Sequence, residues 1–558
     1  MKVKLERDPS GHVIKEWQND QWIASTYDEL GNRSQITSNL GAKIDVAHNE
    51  MGNVSQVTAS RLDQDYWKAT MQYNDLGQEI ERILPGDVIS KWQFDVTGRP
   101  THHRVSSQQR QTRRRVYNWD VNHQLRSMVN ELTGVRVIYG YDEFSNLVWS
   151  NQGSQFDFLH RSVDDVGNLY ETKEKTDRVY GAGSRLLETR EATFSYDDEG
   201  NLVRKIGKNG DTWEYEYYGN GLMSRVVFLL QNNSTFNKAI TFKYDPLGRR
   251  VEKNREGKTN RFVWDGNKIL HEWDICSEDL SNRDENLVTW VYDNNSFNPT
   301  AKITREGAFS IIRDYLGTPV EAYDEQGEQV WSCELDIYGR VKRFTGERDF
   351  IPFRYQGQYA DEETGLYYNR FRYYSASEGI YTQLDPIGLA GSNPTLYGYV
   401  SDPNRLIDVF GLMPLSNPVN QGHHMVPHTL ATKLGIQPFN SQTGVPSLYF
   451  SVEQWLEGEG LNHSAMHGYN ELGAGTKPTL TENQFNKSGL TNQEWLESLE
   501  NHYNNSEIQK FKGDLHVINS DGTKGKLLKA NVTPAQAWEE TKKWASQKGH
   551  PIKCEGYN

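Results

Sequence analysis

Short stretches in which apolar and polar residues alternate recur along the first three quarters of the chain. Residues 240–244 read Ile-Thr-Phe-Lys-Tyr, and this period of two predicts a strand with one apolar face. The carboxylate of Asp245 can accept a backbone amide and start a turn, and Gly248 supplies the positive φ at which the turn ends. A second strand at residues 250–252 completes a predicted strand–turn–strand hairpin.

The same hairpin is repeated along the chain, with an aromatic residue, an aspartate and then a glycine about three residues further on. Clear copies begin at Tyr27, Phe94, Tyr196, Tyr244 and Tyr323, and looser copies surround Asp75, Asp120, Asp142, Asp165 and Asp293. One hairpin cannot bury its own apolar face, so the copies are predicted to stack into a large continuous sheet. The pattern alone also fits a β-propeller or a β-helix.

Composition narrows the class of protein. The chain has 558 residues, which suggests three or four domains, or one oversized repeat structure with an added module. Aromatic residues make up 12% of the chain, which argues against disorder. The mean hydropathy of −0.79 and the absence of a long apolar run exclude a membrane-spanning helix, and the N-terminus has no cleavable signal pattern. Three distant cysteines form neither a disulfide framework nor a zinc site.

Charge is distributed unevenly, and this gives the first domain boundary. Residues 413–558 contain 12 Lys, no Arg, 14 acidic residues and eight of the 15 His, whereas every Arg lies in residues 1–412. Such a shift indicates that two modules are joined near residue 413. The overall net charge of −14 argues against a general nucleic-acid coat, although it leaves room for one local catalytic site.

Two long motifs then identify a family. Residues 354–374 read Arg-Tyr-Gln-Gly-Gln-Tyr-Ala-Asp-Glu-Glu-Thr-Gly-Leu-Tyr-Tyr-Asn-Arg-Phe-Arg-Tyr-Tyr, and residues 385–391 read Asp-Pro-Ile-Gly-Leu-Ala-Gly, with Asn393 beyond them. Together with the Tyr-Asp repeats, they resemble the Rhs/YD-repeat family and its core-associated domain. The resemblance covers residues 1–412 and implies a mainly β fold, a spiral sheet wound into a hollow shell that encloses a toxic C-terminal module.

The resemblance also implies how such a protein is organised and used. Residues 1–335 correspond to the repeat shell, residues 336–412 to the core-associated domain, and residues 413–558 to the toxin. Because residues 7–11 already look like a degenerate repeat, the chain is expected to begin inside the array. Rhs proteins are polymorphic toxins, commonly secreted by type VI secretion, so a cognate immunity protein and a component or adaptor of the secretion apparatus are the expected partners.

The junction resembles the family's self-cleavage site. The core of the family ends in Asp-Pro-x-Gly-Leu and is cut after the Leu, and here Asp408 to Leu412 read Asp-Val-Phe-Gly-Leu, with Val409 in place of Pro. The resemblance implies aspartyl-protease-like chemistry by Asp385 and Asp408, in which one carboxylate acts as base toward water and the other as acid. From the residues alone, both aspartates are ordinary turn formers.

Histidines stand out in the last module. His423 and His424 follow a glycine, and His463 and His467 lie four residues apart, a spacing that places two imidazoles on one face of a helix. The pattern resembles the Gly-His-His branch of the HNH/endonuclease VII superfamily, which has a ββα-metal fold. The resemblance implies a divalent metal ion (Mg, Mn, Ni or Zn) bound by His423, His463 and His467, with His424 as general base. Elsewhere in the module, residues 493–499 and a stretch capped by Thr533 predict helices.

Three functions remain open at this point. The first is an antibacterial effector whose released module is a metal-dependent DNase acting in the cytoplasm of the recipient cell. The second is an RNase on the same scaffold, because a metal site acts on the phosphodiester group, which DNA and RNA share. The third is a non-enzymatic YD-repeat protein of the cell surface that binds carbohydrate, although this gives no reason for the histidine cluster or the composition break. The absence of Arg from residues 413–558 weakens both nuclease hypotheses.

Overall fold

The computed structural model describes most of the first 416 residues and parts of the remainder. The described residues are 1–61, 64–154, 156–231, 237–276, 286–293, 296–297, 299–388, 393, 395–412, 415–416, 422–424, 446–449, 492–504, 509, 512–518 and 524–547. They separate into two compact units, residues 1–94 with 99–416, and residues 95–98 with 417–558. The three predicted domain limits remain a prediction.

The first unit opens with a sheet of fifteen strands, each hydrogen-bonded in antiparallel fashion to its neighbours in the chain. Its strands are β1 (Val3–Arg7), β2 (Val13–Gln18), β3 (Gln21–Tyr27), β4 (Arg33–Ser38), β5 (Ala42–His48), β6 (Val54–Arg61), β7 (Gln64–Tyr73), β8 (Glu79–Leu84), β9 (Val88–Phe94), β10 (Pro100–Ser107), β11 (Arg110–Trp119), β12 (Leu125–Asn130), β13 (Arg136–Tyr141), β14 (Leu147–Asn151) and β15 (Phe158–His160).

A two-stranded connection leads to a second large antiparallel sheet, of sixteen strands. The connection is β16 (Ser162–Val163) and β17 (Leu169–Tyr170). The sheet contains β18 (Arg178–Tyr180), β19 (Leu186–Thr189), β20 (Ala192–Tyr196), β21 (Leu202–Gly207), β22 (Thr212–Tyr217), β23 (Met223–Leu229), β24 (Asn237–Tyr244), β25 (Arg250–Arg255), β26 (Lys258–Asp265), β27 (Lys268–Cys276), β28 (Val288–Tyr292), β29 (Pro299–Ile303), β30 (Ala308–Arg313), β31 (Pro319–Tyr323), β32 (Gln329–Leu335) and β33 (Val341–Thr345). One 3-10 turn, Ala182–Ser184, precedes β19.

These two meanders exclude the alternative repeat folds. A propeller would break the strands into small blades, and a parallel β-helix would pair them in the same direction, whereas neighbouring strands here run antiparallel through fifteen and then sixteen members. The predicted alternation is also present, because Ile240 and Phe242 are buried while Thr241 and Lys243 are exposed. The prediction of a mainly β fold made of stacked repeat hairpins is confirmed.

The residues of the repeated motif stabilise the turn of the hairpin. In the copy at Tyr244, one carboxylate oxygen of Asp245 accepts two backbone amides of the turn, each at 2.9 Å. Gly248 has φ of +74°, which a residue with a Cβ rarely adopts. The Tyr244 hydroxyl donates to the carbonyl of Met223 at 2.7 Å, in the preceding hairpin. In this copy the aspartate and glycine therefore close the turn, and the tyrosine hydroxyl joins it to the preceding hairpin.

Within the first unit the two large sheets pack against each other through apolar and paired polar side chains. Arg33 forms two contacts of 2.7 Å to the carboxylate of Asp265, and the indole of Trp67 donates to the hydroxyl of Ser310 at 2.9 Å. Between these pairs lies a core to which both sheets contribute. Its fully buried members include Val57, Ala69, Val88, Val105, Val291, Ala301 and Tyr323. Residues more than 200 positions apart are thus joined across one interface.

The last part of the first unit covers the hairpin ends of the sixteen-stranded sheet. It contains a four-stranded sheet, β34 (Tyr359–Asp361), β35 (Leu366–Asn369), β36 (Arg372–Ser375) and β37 (Ile380–Tyr381), and the pair β38 (Leu406–Ile407) and β39 (Leu415–Ser416). Tyr355 donates to the carbonyl of Asp336 at 3.0 Å, and Tyr397 to that of Gly200 at 2.6 Å. The core-associated motif is therefore fixed to the ends of the repeats.

The second unit combines a small antiparallel sheet with two helices. The sheet consists of β40 (Gly422–His424), β41 (Pro446–Tyr449), β42 (Gly513–Ile518) and β43 (Lys524–Val532), and the helices are α1 (Asn492–Tyr503) and α2 (Pro534–Gln547). Trp538 of α2 packs its ring 5.3 Å from that of Tyr503 in α1. Both predicted helices are confirmed, and Thr533 accepts the backbone amide of Gln536 at the start of α2. No described helix has the length and apolar character needed to cross a bilayer.

Candidate self-cleavage site

The fold brings Asp385 and Asp408 together around one arginine. Asp385 follows β37 and is 7% exposed, whereas Asp408 directly follows β38 and is fully buried. A single guanidinium nitrogen of Arg372, Nη2, lies 2.9 Å from Oδ2 of Asp385 and 3.6 Å from Oδ2 of Asp408. Two carboxylates that are 23 residues apart in the chain therefore meet at one cation.

Arg372 itself is held rigidly. Its side chain is fully buried, its Nε donates to the carbonyl of Gly411, and its Nη1 donates to the carbonyl of Leu396 at 3.1 Å. The guanidinium lies 3.8 Å from the centre of the Tyr381 ring, a cation–π contact. These contacts fix the guanidinium between the two carboxylates and the backbone of Gly411. The cation that orients the carboxylate pair therefore also contacts the chain next to the predicted cut.

Asp408 is bonded directly to the residue that precedes the predicted cut. The amide of Leu412 donates to Oδ1 of Asp408 at 2.9 Å, and the hydroxyl of Tyr381 donates to its Oδ2 at 2.8 Å. Asn369 donates its side-chain amide to the Asp408 carbonyl at 2.8 Å and to the Tyr381 hydroxyl at 2.7 Å. The Asp408 carboxylate thus contacts the backbone of Leu412, the residue whose carbonyl forms the predicted scissile bond. Each of its two oxygens accepts a hydrogen bond from a different donor.

The two carboxyl groups of the pair have different surroundings. Burial raises the pKa of Asp385 to about 6, although Arg372 and the Ile387 amide oppose the shift. Burial and the neighbouring Asp408 carboxylate hold the pKa of Tyr381 well above its usual value, so that phenol stays protonated and remains a donor. One carboxyl is therefore able to carry a proton near neutral pH beside another that accepts hydrogen bonds from Tyr381 and Leu412.

Two glycines shape the backbone around the predicted cut. Gly411 has φ of +65°, and a Cβ there would lie 2.7 Å from the carbonyl oxygen of Asn369. Gly357, with φ of +85°, lies so close to the carbonyl of Val409 that a Cβ would come within 2.0 Å of it. Both positions admit only glycine without a shift of the backbone. They bring residues 409–411 close to the core-associated segment, beside Arg372.

The predicted nuclease residues are placed only in part. His423 and His424 lie on strand β40, and the strand register aligns His424 with Ser447 of β41 and then with His516 of β42. The backbones of the two outer positions are thus two strands apart, roughly 10 Å. His463 and His467 lie outside the described residues. The metal set and the general base therefore remain predictions.

Sequence reasoning missed the residues that connect the two aspartates. Arg372 contacts both carboxylates, and Tyr381 contacts Asp408 and the guanidinium of Arg372, yet the sequence singled out neither of them. The signal that was available is the motif of residues 354–374, which contains Arg354, Arg370 and Arg372. Nothing in the spacing tells these arginines apart, and only the packed structure shows which one faces the carboxylate pair.

Comparison with known proteins gives the context of this site. The family model described as Teneurin YD-shell matches residues 78–390, more than half of the chain. Double-stranded DNA deaminase toxin A of Burkholderia cenocepacia (strain H111) is 27% identical over 448 residues, covering 74% of this chain and 30% of that protein. Probable deoxyribonuclease RhsB of Dickeya dadantii (strain 3937) is 25% identical over 448 residues, covering 74% of this chain and 29% of that protein.

Solved structures agree on the fold. The structure of the Photorhabdus luminescens Tc holotoxin pore matches with a TM-score of 0.54 and 17% identity, covering 74% of this chain and 23% of that one. At this identity the likeness concerns the fold alone. The chain spans about 30% of the length of the curated relatives described above. Since those relatives are named for different activities, a deaminase and a deoxyribonuclease, likeness to them does not assign a chemistry to residues 413–558.

Proposed function

Because the chain belongs to the Teneurin YD-shell family, we propose that it is part of a secreted antibacterial toxin whose shell segment cuts its own backbone after Leu412. The released payload is residues 413–558, and the proposal includes type VI delivery, a secretion adaptor and a cognate immunity protein. The names of the relatives, a DNA deaminase toxin and a probable deoxyribonuclease, support this class of function. The observation that carries it is the geometry around Arg372, where two buried carboxylates meet beside the end of the repeat unit.

The proposed reaction is a hydrolysis of the Leu412–Met413 peptide bond. Asp408 takes a proton from a water molecule while the water oxygen attacks the carbonyl carbon of Leu412. Asp385, whose pKa is raised to about 6, gives its proton to the nitrogen of Met413 as the carbon–nitrogen bond breaks. The products are a carboxylate on Leu412 and a free amine on Met413. Arg372 keeps the two carboxyl groups together while Asp408 gains a proton from water and Asp385 gives its own proton to the leaving nitrogen.

Aspartate-to-asparagine variants test this proposal most directly, because the amide keeps the shape and removes the acid–base function. The purified full chain is run on a denaturing gel, and the masses of the fragments are measured. The wild type is expected to give two fragments with a break after Leu412, and Asp385→Asn or Asp408→Asn to stay intact. Loss of a general acid or base typically slows a reaction by about 10²–10⁴-fold.

Asp402→Asn is the matched control. Asp402 is 3% exposed, burial raises its pKa to about 6, and it lies six residues before Asp408. Its side chain accepts the amide of Asn404, and among the described residues Arg372 forms its ion pairs with Asp385 and Asp408 instead. This variant is expected to cleave like the wild type. An intact wild-type chain, or equal cleavage in all three variants, would show that the carboxylate pair is not a protease.

For the payload we propose a metal-dependent DNase of the Gly-His-His type. His423, His463 and His467 would hold the ion and His424 would take a proton from water, since a neutral imidazole has a reference pKa of about 6.5. A divalent ion supplies offsetting positive charge for the phosphodiester transition state. Nitrogen donors favour Zn²⁺ or Ni²⁺, whereas Mg²⁺ prefers oxygen. What supports this set is the sequence pattern, together with the position of residues 423 and 424 on one strand of a sheet.

The metal and base roles predict two classes of variant. His424→Ala is expected to abolish plasmid nicking while binding Zn²⁺ or Ni²⁺ nearly as tightly as the wild type in calorimetric titrations. His463→Ala is expected to lose both, since it removes a ligand. His550→Ala serves as a control outside the proposed set. Parallel assays on plasmid DNA and transfer RNA separate the DNase from the RNase hypothesis, and a His424→Ala protein that nicks DNA normally would overturn the assignment of the base.

A further inference from the structure

One edge of the fifteen-stranded sheet carries a row of three turns of the same type. Alternate connections of an antiparallel meander lie at the same edge, so the turns at residues 28–31, 49–52 and 74–77 follow one another along it. We call these three turns the turn row. In each, the first residue accepts the amide of the third, and the fourth is a glycine with positive φ. Successive turns are two strand spacings apart, roughly 10 Å.

Each turn of the row presents an exposed carboxylate followed by an exposed apolar side chain. The pairs are Glu29 with Leu30, Glu50 with Met51, and Asp75 with Leu76. The apolar members are 78%, 63% and 40% exposed, respectively. Further along the same edge, the turns at residues 95–98 and 120–123 have a valine in second position instead of a carboxylate, and beyond them Glu143 and Phe144 repeat the pattern, with Phe144 79% exposed. One exposed leucine needs no explanation, but three acidic–apolar pairs in three successive turns of one sheet edge make an unusual surface.

Corresponding turns of the sixteen-stranded sheet show how such a turn looks when it is covered. Leu316, at the third position of its turn, is 5% exposed, and Tyr338 in the next turn is fully buried. The covering segment, which lies in residues 350–412, donates hydrogen bonds to the turn carbonyls. Gln356 donates its side-chain amide to the carbonyl of Leu316, and Tyr374 donates its hydroxyl to that of Tyr338 at 2.8 Å.

The covered turns differ from the turn row at one position. In the two turns at Leu316 and Tyr338, the second residue is uncharged, Tyr315 or Ile337, where the turn row has a carboxylate. A partner that covers the row must therefore supply cations opposite the carboxylates as well as an apolar contact for each tip. A carboxylate left without a cation under such a cover would be costly to bury.

We propose that the turn row docks a basic amphipathic helix of a separate protein. The charge follows from the row of carboxylates, and the periodicity follows from the spacing of the turns. Roughly 10 Å corresponds to about seven residues of α-helix, so one apolar residue in each heptad, flanked by Lys or Arg, meets successive tips in phase. This surface lies on a different sheet from the carboxylate pair at Arg372, and the inference does not depend on self-cleavage.

The test uses a defined probe and the full chain. The probe is a fluorescein-labelled helical peptide of four heptads, with one Leu flanked by Lys in each heptad, and its partner is a peptide of the same composition in which the Leu spacing is broken. Anisotropy titrations at low and moderate salt are expected to show saturable binding of the in-phase peptide. The out-of-phase peptide is expected to bind at least about tenfold more weakly.

Charge reversal then assigns the surface. The combined variant Glu29→Lys, Glu50→Lys and Asp75→Lys is expected to weaken the in-phase peptide by at least about tenfold, because rim charges add through complementarity. The matched control is Asp198→Lys with Glu199→Lys, in a turn of the same type that has no apolar tip. The control should bind like the wild type, and the amide variant Glu29→Gln, Glu50→Gln, Asp75→Asn should keep the fold and show an intermediate loss.

Three outcomes would overturn the proposal. The first is equal binding of both peptides, which would mean that charge attraction alone, and not the spacing of the Leu residues, causes binding. The second is unchanged binding in the charge-reversed protein, or an equal loss in the control. The third is self-association of the chain in sedimentation experiments that disappears in Leu30→Ser, Met51→Ser, Leu76→Ser, since that assigns the turn row to a second copy of this chain.

Discussion

Replacing Asp361 should destabilise the shell more than any nearby change of charge. Asp361 is fully buried in strand β34 and binds the guanidinium of Arg250 through both of its oxygens. The ammonium of Lys253 lies 3.0 Å from one of the same oxygens. These side chains join the core-associated sheet to strand β25 of the sixteen-stranded sheet. Asp361→Asn keeps the shape and leaves two buried cations without their common anion.

The magnitude follows from burial. Breaking a buried pair by removing one partner costs about 3–5 kcal/mol. Part of this is relieved, because burial already lowers the pKa of Lys253 and that group can lose its proton, whereas Arg250 stays charged. Arg250 also keeps its cation–π contacts with four aromatic rings, of which Tyr368 is nearest at 4.4 Å. Such contacts contribute up to about 2 kcal/mol. We therefore expect Asp361→Asn to lower the free energy of unfolding by about 3 kcal/mol.

The control lies two residues further on. Glu363 pairs with Lys253 and Arg255 but is 22% exposed, so Glu363→Gln should cost less than about 1 kcal/mol. Guanidinium unfolding of the full chain, followed by tryptophan fluorescence and far-ultraviolet circular dichroism, gives the two midpoints. Adding Lys253→Met to Asp361→Asn should recover part of the loss, as a double-mutant cycle would show. Equal midpoints for Asp361→Asn and Glu363→Gln would refute the reasoning from buried charge.

Two further predictions concern pH. Self-cleavage in freshly refolded protein should slow as the pH rises through about 6, because burial raises the pKa of Asp385 to about 6 and its proton is lost above that value; a rate that rises steadily with pH in gel time courses contradicts the assigned acid. Although burial opposes it, pairing with Lys205 lowers the pKa of Glu378 to about 2, so this group contributes stability above its ordinary pKa of about 4.5 that is lost as the pH falls toward 2. Glu378→Gln should remove on the order of 3 kcal/mol at neutral pH and flatten the acid limb of unfolding, and an unchanged acid limb would exclude the pair as its cause.

Local patterns carried the prediction of the repeats, because each hairpin is built from its own residues. Asp245 binds amides within its own turn, and Tyr244 donates to the preceding hairpin at Met223. The packing of one large sheet on the other depends on contacts such as Arg33 with Asp265, which are 232 residues apart. Spacing along the chain contains no record of such a pair, so the sheet–sheet interface was beyond reach from the sequence.

The same difference explains what was predicted of the site. Asp385 and Asp408 were found because each lies in a short motif, and the structure then placed them around Arg372. That arginine was not singled out because strand β36, residues 372–375, is buried on both faces, so the alternation that marks an inward position is absent there. The nuclease histidines rest on the sequence pattern, since His463 and His467 lie outside the described residues.

Val409, which stands where the resembled family has proline, should not prevent self-cleavage. Val409 is 2% exposed, and its amide donates no hydrogen bond to any residue that the structure describes. Proline at this position would remove a buried donor without a partner, so Val409→Pro should leave the fraction of cut chain unchanged and stabilise the shell by up to about 1 kcal/mol. The path of the backbone there is set instead by Gly357, where a Cβ would come within 2.0 Å of the Val409 carbonyl oxygen.

Gly357→Ala should therefore displace the chain that leads from Asp408 to Leu412 and slow cleavage strongly. Both variants are compared with the wild type by fragment yield on denaturing gels and by thermal unfolding, so that a loss of cleavage in a folded protein is distinguished from unfolding. If Val409→Pro stayed intact while Gly357→Ala were cut, the side chain at position 409, and not the close approach of two backbones, would control the geometry of the cut.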